Sequence, residues 1–296
     1  MPSVEANGIQ IEYDTFGDSS SSALLLIIGY GTQMIAWDEE ICKQLAGQNL
    51  YVIRFDNRDI GLSTKLEEAG IPDIMAAVGA NMQGKKIDAP YTIDDMADDT
   101  AGLLDALDIE KAHICGMSMG GMIGQAVAIR YPKRVLSLIS IYSNTGNPKL
   151  PQPKPEVMEV LLTPPPEERE ASIEHQMKIF RTIRGPGFPL DEEWHRSLAE
   201  KSFDRSFYPQ GKVRQFVAIL ASGNRKPDLA SVSVPTLVIH GADDPLVPVE
   251  GGKDTAEAIS GAELMIIEGM GHDLPHGGAW PQIVDAITEH IKKVNA

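Results

Sequence analysis

AHICGMSMGGMIGQAVAIRY, residues 112–131, is the stretch that decides how the rest of this chain is read. At its centre stands Gly116-Met117-Ser118-Met119-Gly120, a G-x-S-x-G. Ile114 and Cys115 lead into it as a short buried strand. Met122, Ile123, Ala126, Val127 and Ile129 follow at helical spacing, and Pro132 stops the helix after Tyr131. The serine therefore sits at a strand-to-helix corner, the arrangement of a nucleophile elbow. A strained turn there lifts the hydroxyl above the sheet edge. Side chains two residues to either side would strike the strand or the helix, and Gly116 and Gly120 remove them. The helix N-terminus also turns free N–H groups toward the place where negative charge would develop.

Outward from the elbow, strand and helix patterns alternate. Residues 9–16 (IQIEYDTF) alternate as a strand. Residues 23–28 (ALLLII) form the continuous apolar run of a central parallel strand, ending at Gly29-Tyr30-Gly31-Thr32-Gln33. A helix is expected over 37–45 and a strand over 52–56, which runs into Asn57-Arg58-Asp59-Ile60-Gly61-Leu62-Ser63. Pro72, Gly79, Gly84 and Pro90 leave 66–90 as a loop with at most a short helix. Thr92 and Asp95 have capping-box spacing, and Ile93, Met96, Ala97, Thr100, Leu103, Leu104 and Leu107 recur on one helical face. Further strands are expected over 135–141, 236–240 and 263–267, and a last helix over 283–294. From about 156 to 224 the patterns are helical only. The expected fold is α/β: a mostly parallel sheet with helices on both faces, a core of residues 1–143 and 229–296, and a helical cap inserted at 144–228. In such sheets function gathers beyond the strand C-termini, where residues 29–33, Ser118, Asp243-Asp244 and His272 all fall.

The 296 residues are 43% hydrophobic and 23% charged, an ordinary globular composition. A net charge of −16 disfavours nucleic acid and anionic membrane surfaces as partners. Asp94-Asp95 and Asp98-Asp99 read as a solvated helix face rather than a metal site. Cys42 and Cys115 fall in separate elements without C-x-x-C spacing, which points to neither a disulfide nor zinc and suggests a reducing compartment. The opening MPSVEANGIQIEYD lacks the basic and apolar segments of a signal peptide, and no early apolar run could span a bilayer. A cytoplasmic monomer or homodimer without metal or cofactor is expected.

A serine is a poor nucleophile until a base takes its proton. Of the seven histidines, His272 follows the last strand in Gly269-Met270-Gly271-His272 and is the expected base. His276 is the runner-up; His113 lies inside the elbow strand, and His240 ends a strand just before an acidic loop. That loop, Gly241-Ala242-Asp243-Asp244-Pro245, offers the acid that would orient the imidazole. Adjacent residues on an extended loop point opposite ways. Asp244 is favoured because Pro245 holds the preceding backbone extended, and Asp243 is expected to cap or salt-link the loop.

These motifs, with Asp56-Asn57-Arg58-Asp59-Ile60-Gly61-Leu62-Ser63, resemble an α/β-hydrolase-superfamily esterase over essentially the full chain. Within that superfamily the chain is most similar to the aclacinomycin methylesterase-like group. The order Ser118, Asp244, His272 is that of the superfamily template. The resemblance implies an oxyanion hole made by the backbone N–H groups of Tyr30 and Met119, and a substrate site formed by Gly29, Gly31 and Met119. The Met119 side chain suits the core and the pocket equally. Many relatives place His-Gly after the second apolar strand, where this chain has Ile28-Gly29. A single glycine before Tyr30 suggests a tight hole that excludes tertiary-alcohol esters. Haloalkane dehalogenases and epoxide hydrolases carry aspartate at the elbow, and Ser118 excludes them. The expected function is carboxylic-ester hydrolysis through an acyl-enzyme. Lactone or carbon–carbon hydrolysis, acyl transfer, or ligand binding on a hydrolase fold are the alternatives. The expected partner is a small to medium, uncharged ester. Of the cap aromatics Phe180, Trp194, Phe203, Phe207 and Phe216, one or two are expected to face Ser118.

Overall fold

The computed structural model describes residues 1–276 and 278–296. In chain order its elements are β1 (Ser3–Ala6), β2 (Ile9–Phe16), β3 (Ser22–Ile27), α1 (Glu39–Ala46), β4 (Leu50–Phe55), α2 (Ile74–Met82), α3 (Ile93–Ala106), β5 (Ala112–Met117), α4 (Met119–Arg130) and β6 (Val135–Ile141). Then come α5 (Pro155–Leu162), α6 (Arg169–Ile183), α7 (Glu192–Arg205), α8 (Pro209–Ala221), α9 (Lys226–Leu229), β7 (Thr236–Gly241), α10 (Glu250–Ala258), β8 (Glu263–Ile267) and α11 (Trp280–Asn295). The sheet order is β1-β2-β4-β3-β5-β6-β7-β8. β2 runs antiparallel to both its neighbours, and the strands from β4 to β8 pair in parallel.

β3 shows why its sequence is apolar without a break. Successive strand residues face opposite sides of a sheet. Leu24 and Leu26 enter one buried cluster with Ile41, Leu45, Val52 and Cys115, beneath α1 and α11. Leu25 and Ile27 enter the other, with Ile53, Ile114, Leu103 and Ile123, beneath α3 and α4. A strand covered on both faces needs apolar residues at every position. Cys42 and Cys115 are both buried free thiols.

Several boundaries differ from the sequence expectation. β1 is a short edge strand that no pattern announced. α1 begins at Glu39 rather than Trp37, because the Asp38 carboxylate accepts from the Glu40 amide and caps the helix there. The expected capping box is present: Thr92 and Asp95 exchange side-chain and backbone hydrogen bonds at the start of α3. The acidic run behind it is not wholly a solvated face. Asp99 is buried and takes a bidentate pair from Arg58 at 2.6 Å. The turn after β4 pushes that guanidinium against α3, and a buried cation needs a carboxylate.

Between β6 and β7 the chain is helical. α6 and α7 share a small cluster of their own, built on Ile173, Met177 and Ala199 with Phe180 packed against it. α8 and α9 instead send Ala218 and Leu229 into the cluster beneath α3 and α4. Among the described residues, no helix is long and apolar enough to cross a membrane.

Candidate active site

β5 delivers Ser118 to the sheet edge, and α4 begins at the next residue. Ser118 has φ 55° and ψ −120°, a conformation that side-chain-bearing residues rarely adopt. A Cβ on Gly116 would strike the Gly120 carbonyl, and one on Gly120 would strike the Ile27 carbonyl. The elbow can close only with glycine at both positions. Ser118 occupies the N-cap position of α4, yet its hydroxyl makes no capping bond. Its Oγ instead lies 2.9 Å from His272 Nε2.

The His272 ring continues the chain, with Nδ1 lying 2.7 Å from Asp244 Oδ2. Asp244 Oδ1 accepts from the Leu246 and Val247 amides at 2.9 and 2.8 Å. Burial works against the charge on Asp244, but His272 and His240 beside it outweigh burial and hold its carboxyl below the ordinary range. An ionised carboxylate can only accept, so Nδ1 carries the imidazole proton and Nε2 is left as the acceptor for the serine hydroxyl. The backbone of the His272 loop is clamped by the chain following α6. The His272 amide donates to the Ile183 carbonyl at 2.8 Å, and the Gly187 amide to the Gly269 carbonyl at 2.9 Å. The Tyr142 ring packs on the imidazole at 4.6 Å between centroids.

Asp243 faces away from this chain and accepts from the Gly269 amide at 3.0 Å. Four of the other histidines are engaged elsewhere, although His240 also lies 3.6 Å from Asp244. His113 bonds Ser137, His240 donates to the Val247 carbonyl, and His195 donates to the Asp191 carbonyl. His276 bonds the Asp191 carboxylate and stacks on Trp194, so it pins the loop to α7 instead of approaching Ser118.

Gly29 lies directly against the serine; a Cβ there would come within 3.3 Å of Ser118 Cβ. The Gly31 amide is committed to Gln215 Oε1 at 2.9 Å. Among the described residues, the Tyr30 and Met119 amides have no acceptor. Met119 opens α4 at the elbow, and Tyr30 lies in the loop after β3. The Met119 side chain, however, is 1% exposed and belongs to the core beneath α4, so it does not line the cavity. At the first position of α4 it turns back onto the sheet, and only its amide remains available at the sheet edge.

A cavity of about 160 Å³ opens beside Ser118 and His272, lined by Gly29, Tyr30, Gly31, Met117, Tyr142, Ile179, Phe180, Trp194 and Leu198 among others. Phe180 and Trp194 are thus the cap aromatics that reach it. Phe203 and Phe207 line an adjoining chamber of about 90 Å³, which shares Gly31, His175, Phe180 and Lys212 with the first. Phe216 is buried and packs against the Tyr30 ring. Three polar residues of the site carry no local sequence signal: Gln215, Lys212 and Asp273. Asp273 lies beside His272 with a buried Oδ1 that has no partner among the described residues, and burial pushes its carboxyl up to about 6. Among the described residues, no group of three or more His, Cys, Asp or Glu side chains is gathered as a metal site would require.

A parallel sheet, an elbow serine and a histidine–aspartate relay at one sheet edge define a class, and comparison with known proteins agrees. Residues 22–279 match the model of the alpha/beta hydrolase fold, and the chain belongs to that family. It is 28% identical to the rhodomycin D methylesterase DauP of Streptomyces sp. (strain C5), over 88% of this chain and 87% of that one. This agrees with the resemblance to the aclacinomycin methylesterase-like group. It is 30% identical to 3-oxoadipate enol-lactonase 2 of Acinetobacter baylyi, over 89% and 86% of the two chains. Among solved structures, the enol-lactonase from Burkholderia xenovorans LB400 superposes with a TM-score of 0.70 at 22% identity, covering 99% of each chain.

Proposed function

We propose that this protein is a serine carboxylic-ester hydrolase working through an acyl-enzyme. The observation that carries the reading is the hydrogen-bond chain from Asp244 through His272 to Ser118, at the edge of a largely apolar cavity. His272 Nε2 takes the hydroxyl proton as Ser118 Oγ attacks the ester carbonyl, then returns it to the leaving alcohol. Asp244 holds the tautomer and stabilises the imidazolium. The Tyr30 and Met119 amides receive the oxyanion, and preorganised donors there cost no reorganisation during reaction. A water activated by His272 then releases the acid.

Residues 144–228 act as a cap that shapes the substrate site, since Phe180, Trp194 and Leu198 all come from it. The lining favours small to medium esters with an apolar body. The similarity to a methylesterase supports a methyl ester as the scissile group. A lactone is the second reading, supported by the enol-lactonase relative, because a cyclic ester would open through the same steps.

A fluorophosphonate probe tests the reading. We expect it to label Ser118 in the folded protein, and Ser118→Ala to abolish both labelling and turnover across aryl esters, methyl esters and lactones. A folded wild-type protein that neither labels nor turns over any of them would be a ligand-binding protein on a hydrolase fold.

A further inference from the structure

Lys212 stands in the wall of the substrate cavity. It lines both the chamber that holds Ser118 and the chamber behind it. Its place is held, because α8 is fixed to the core just beyond it. Arg214 makes a bidentate pair with Asp59 at 2.8 Å, and Gln215 bridges the Gly31 amide and the Arg58 carbonyl. The lysine stem lies across the loop after β3: a Cβ on Gly31 would meet its Cγ and Cδ at 3.1 Å. Gly31 is two residues from Gly29, which touches the serine. The lysine and the reacting hydroxyl therefore belong to one cavity wall.

The other buried and half-buried cations of this region have partners, and Lys178, which also acts on His175, is exposed to solvent. Arg205 pairs with Asp56, Arg214 with Asp59 and Arg58 with Asp99, while Lys65 donates to the Gly61 and Ser63 carbonyls. Among the described residues Lys212 has neither a carboxylate nor a carbonyl partner, and burial without a compensating charge lowers its pKa. His175 shares the cavity wall with it, and burial and then Lys212 itself shift that imidazole toward the neutral form. A partly buried ammonium without a partner is unfavourable, and a chain of net charge −16 does not lack carboxylates to supply one. Such a group in the cavity wall offers an ammonium to an anionic ligand, in the same lining that carries Asp273 beside His272.

We propose that Lys212 is the specificity residue of an anion-binding subsite, and that the ester hydrolysed at Ser118 carries a carboxylate at its far end. The proposal rests on the ester-hydrolase reading and replaces the expectation of a wholly uncharged substrate. The neutral His175 and Gln176 beside it would complete the subsite as hydrogen-bond partners. The apolar lining near Ser118 takes the methylenes between the two ends.

The test compares monomethyl esters of six- to eight-carbon dicarboxylic acids with methyl esters of monocarboxylic acids of equal length. Wild-type enzyme is expected to favour the half-esters by about tenfold or more in kcat/KM, the scale of one charge-assisted contact. Lys212→Met should cost the half-esters at least tenfold more than the neutral esters, mainly in KM, and Lys212→Arg should keep the preference. Equal losses on both series, or a wild-type preference for neutral esters, would overturn the subsite. Binding separates this from failure of the hydrolase reading. Calorimetry on Ser118→Ala needs no turnover and should show tighter binding of monomethyl adipate than of methyl hexanoate, lost with Lys212→Met. If that binding difference is absent, the subsite is wrong even where neutral esters are hydrolysed. If it is present without any turnover in the wild type, the hydrolase reading is wrong and the subsite stands.

Discussion

At the scale of single residues, two adjacent aspartates have opposite fates. Asp244 is buried, bonds His272 and takes two backbone amides, while Asp243 turns outward to one amide of the Gly269 turn. Asp244→Asn is expected to lower kcat by about 10⁴, because the Leu246 and Val247 amides hold the one remaining oxygen, the NH2 group then faces Nδ1, and the wrong tautomer is favoured. Asp243→Asn keeps an oxygen for the Gly269 amide and should change kcat by no more than about threefold. The reverse order of effects in steady-state ester hydrolysis would mean that the second carboxylate is the one that orients His272. The depressed pKa of Asp244 also sets a direction in pH. Its contribution to stability is present above the ordinary carboxylate pKa and is lost as pH falls through the lower folded value.

At the scale of an element, α8 organises the loop that carries Tyr30. Adjacent side chains on a helix diverge by about 100°, so Arg214 and Gln215 can serve different neighbours. Arg214 reaches Asp59, and Gln215 reaches the Gly31 amide with its oxygen and the Arg58 carbonyl with its nitrogen. With the Gly31 amide tied back, the Tyr30 amide is the one left for the oxyanion role proposed above. Gln215→Ala frees the loop and leaves the half-buried Gly31 amide and the buried Arg58 carbonyl without this partner. We expect kcat to fall by about ten- to a hundredfold with KM changed less than threefold, because a misplaced oxyanion donor weakens the transition state more than the ground state. An unchanged kcat would separate this glutamine from the oxyanion site.

At the scale of the whole molecule, the helices inserted after β6 are held to the core by charge pairs as well as by apolar packing. Arg205–Asp56 and Arg214–Asp59 both cross that boundary, with the carboxylates completely buried. Asp56 accepts in addition from the Met34 and Leu62 amides, so one carboxylate ties the insertion, the loop after β3 and the turn after β4 together. Breaking such a pair strands a buried charge. Asp59→Asn is expected to destabilise the fold by about 3–5 kcal/mol in urea unfolding, and adding Arg214→Met should recover part of the loss. If the double variant is no more stable than the single one, the penalty comes from packing around α8 and not from the stranded guanidinium.

What the sequence determined by itself is local in origin. The apolar run before Gly29 had to be a strand covered on both faces. The glycines around Ser118 had to make a tight corner, and Thr92 with Asp95 had to start a helix. These follow from periodicity, capping and steric exclusion over a few residues, which a linear chain displays directly. That Ser118, Asp244 and His272 meet was legible because each follows a strand of one parallel sheet, and such strands bring their ends to a common edge. The tertiary structure alone decided the partners of buried polar side chains. Asp99 looked like a surface residue until Arg58 was folded against it. Gln215 sat in an unremarkable helix until Gly31, 184 residues away in the chain, was brought to it. Met119 suited core or cavity until the crossing of α4 over the sheet turned it inward. A buried charge or amide takes whatever complementary group the packing delivers, and no spacing along the chain records which group that is.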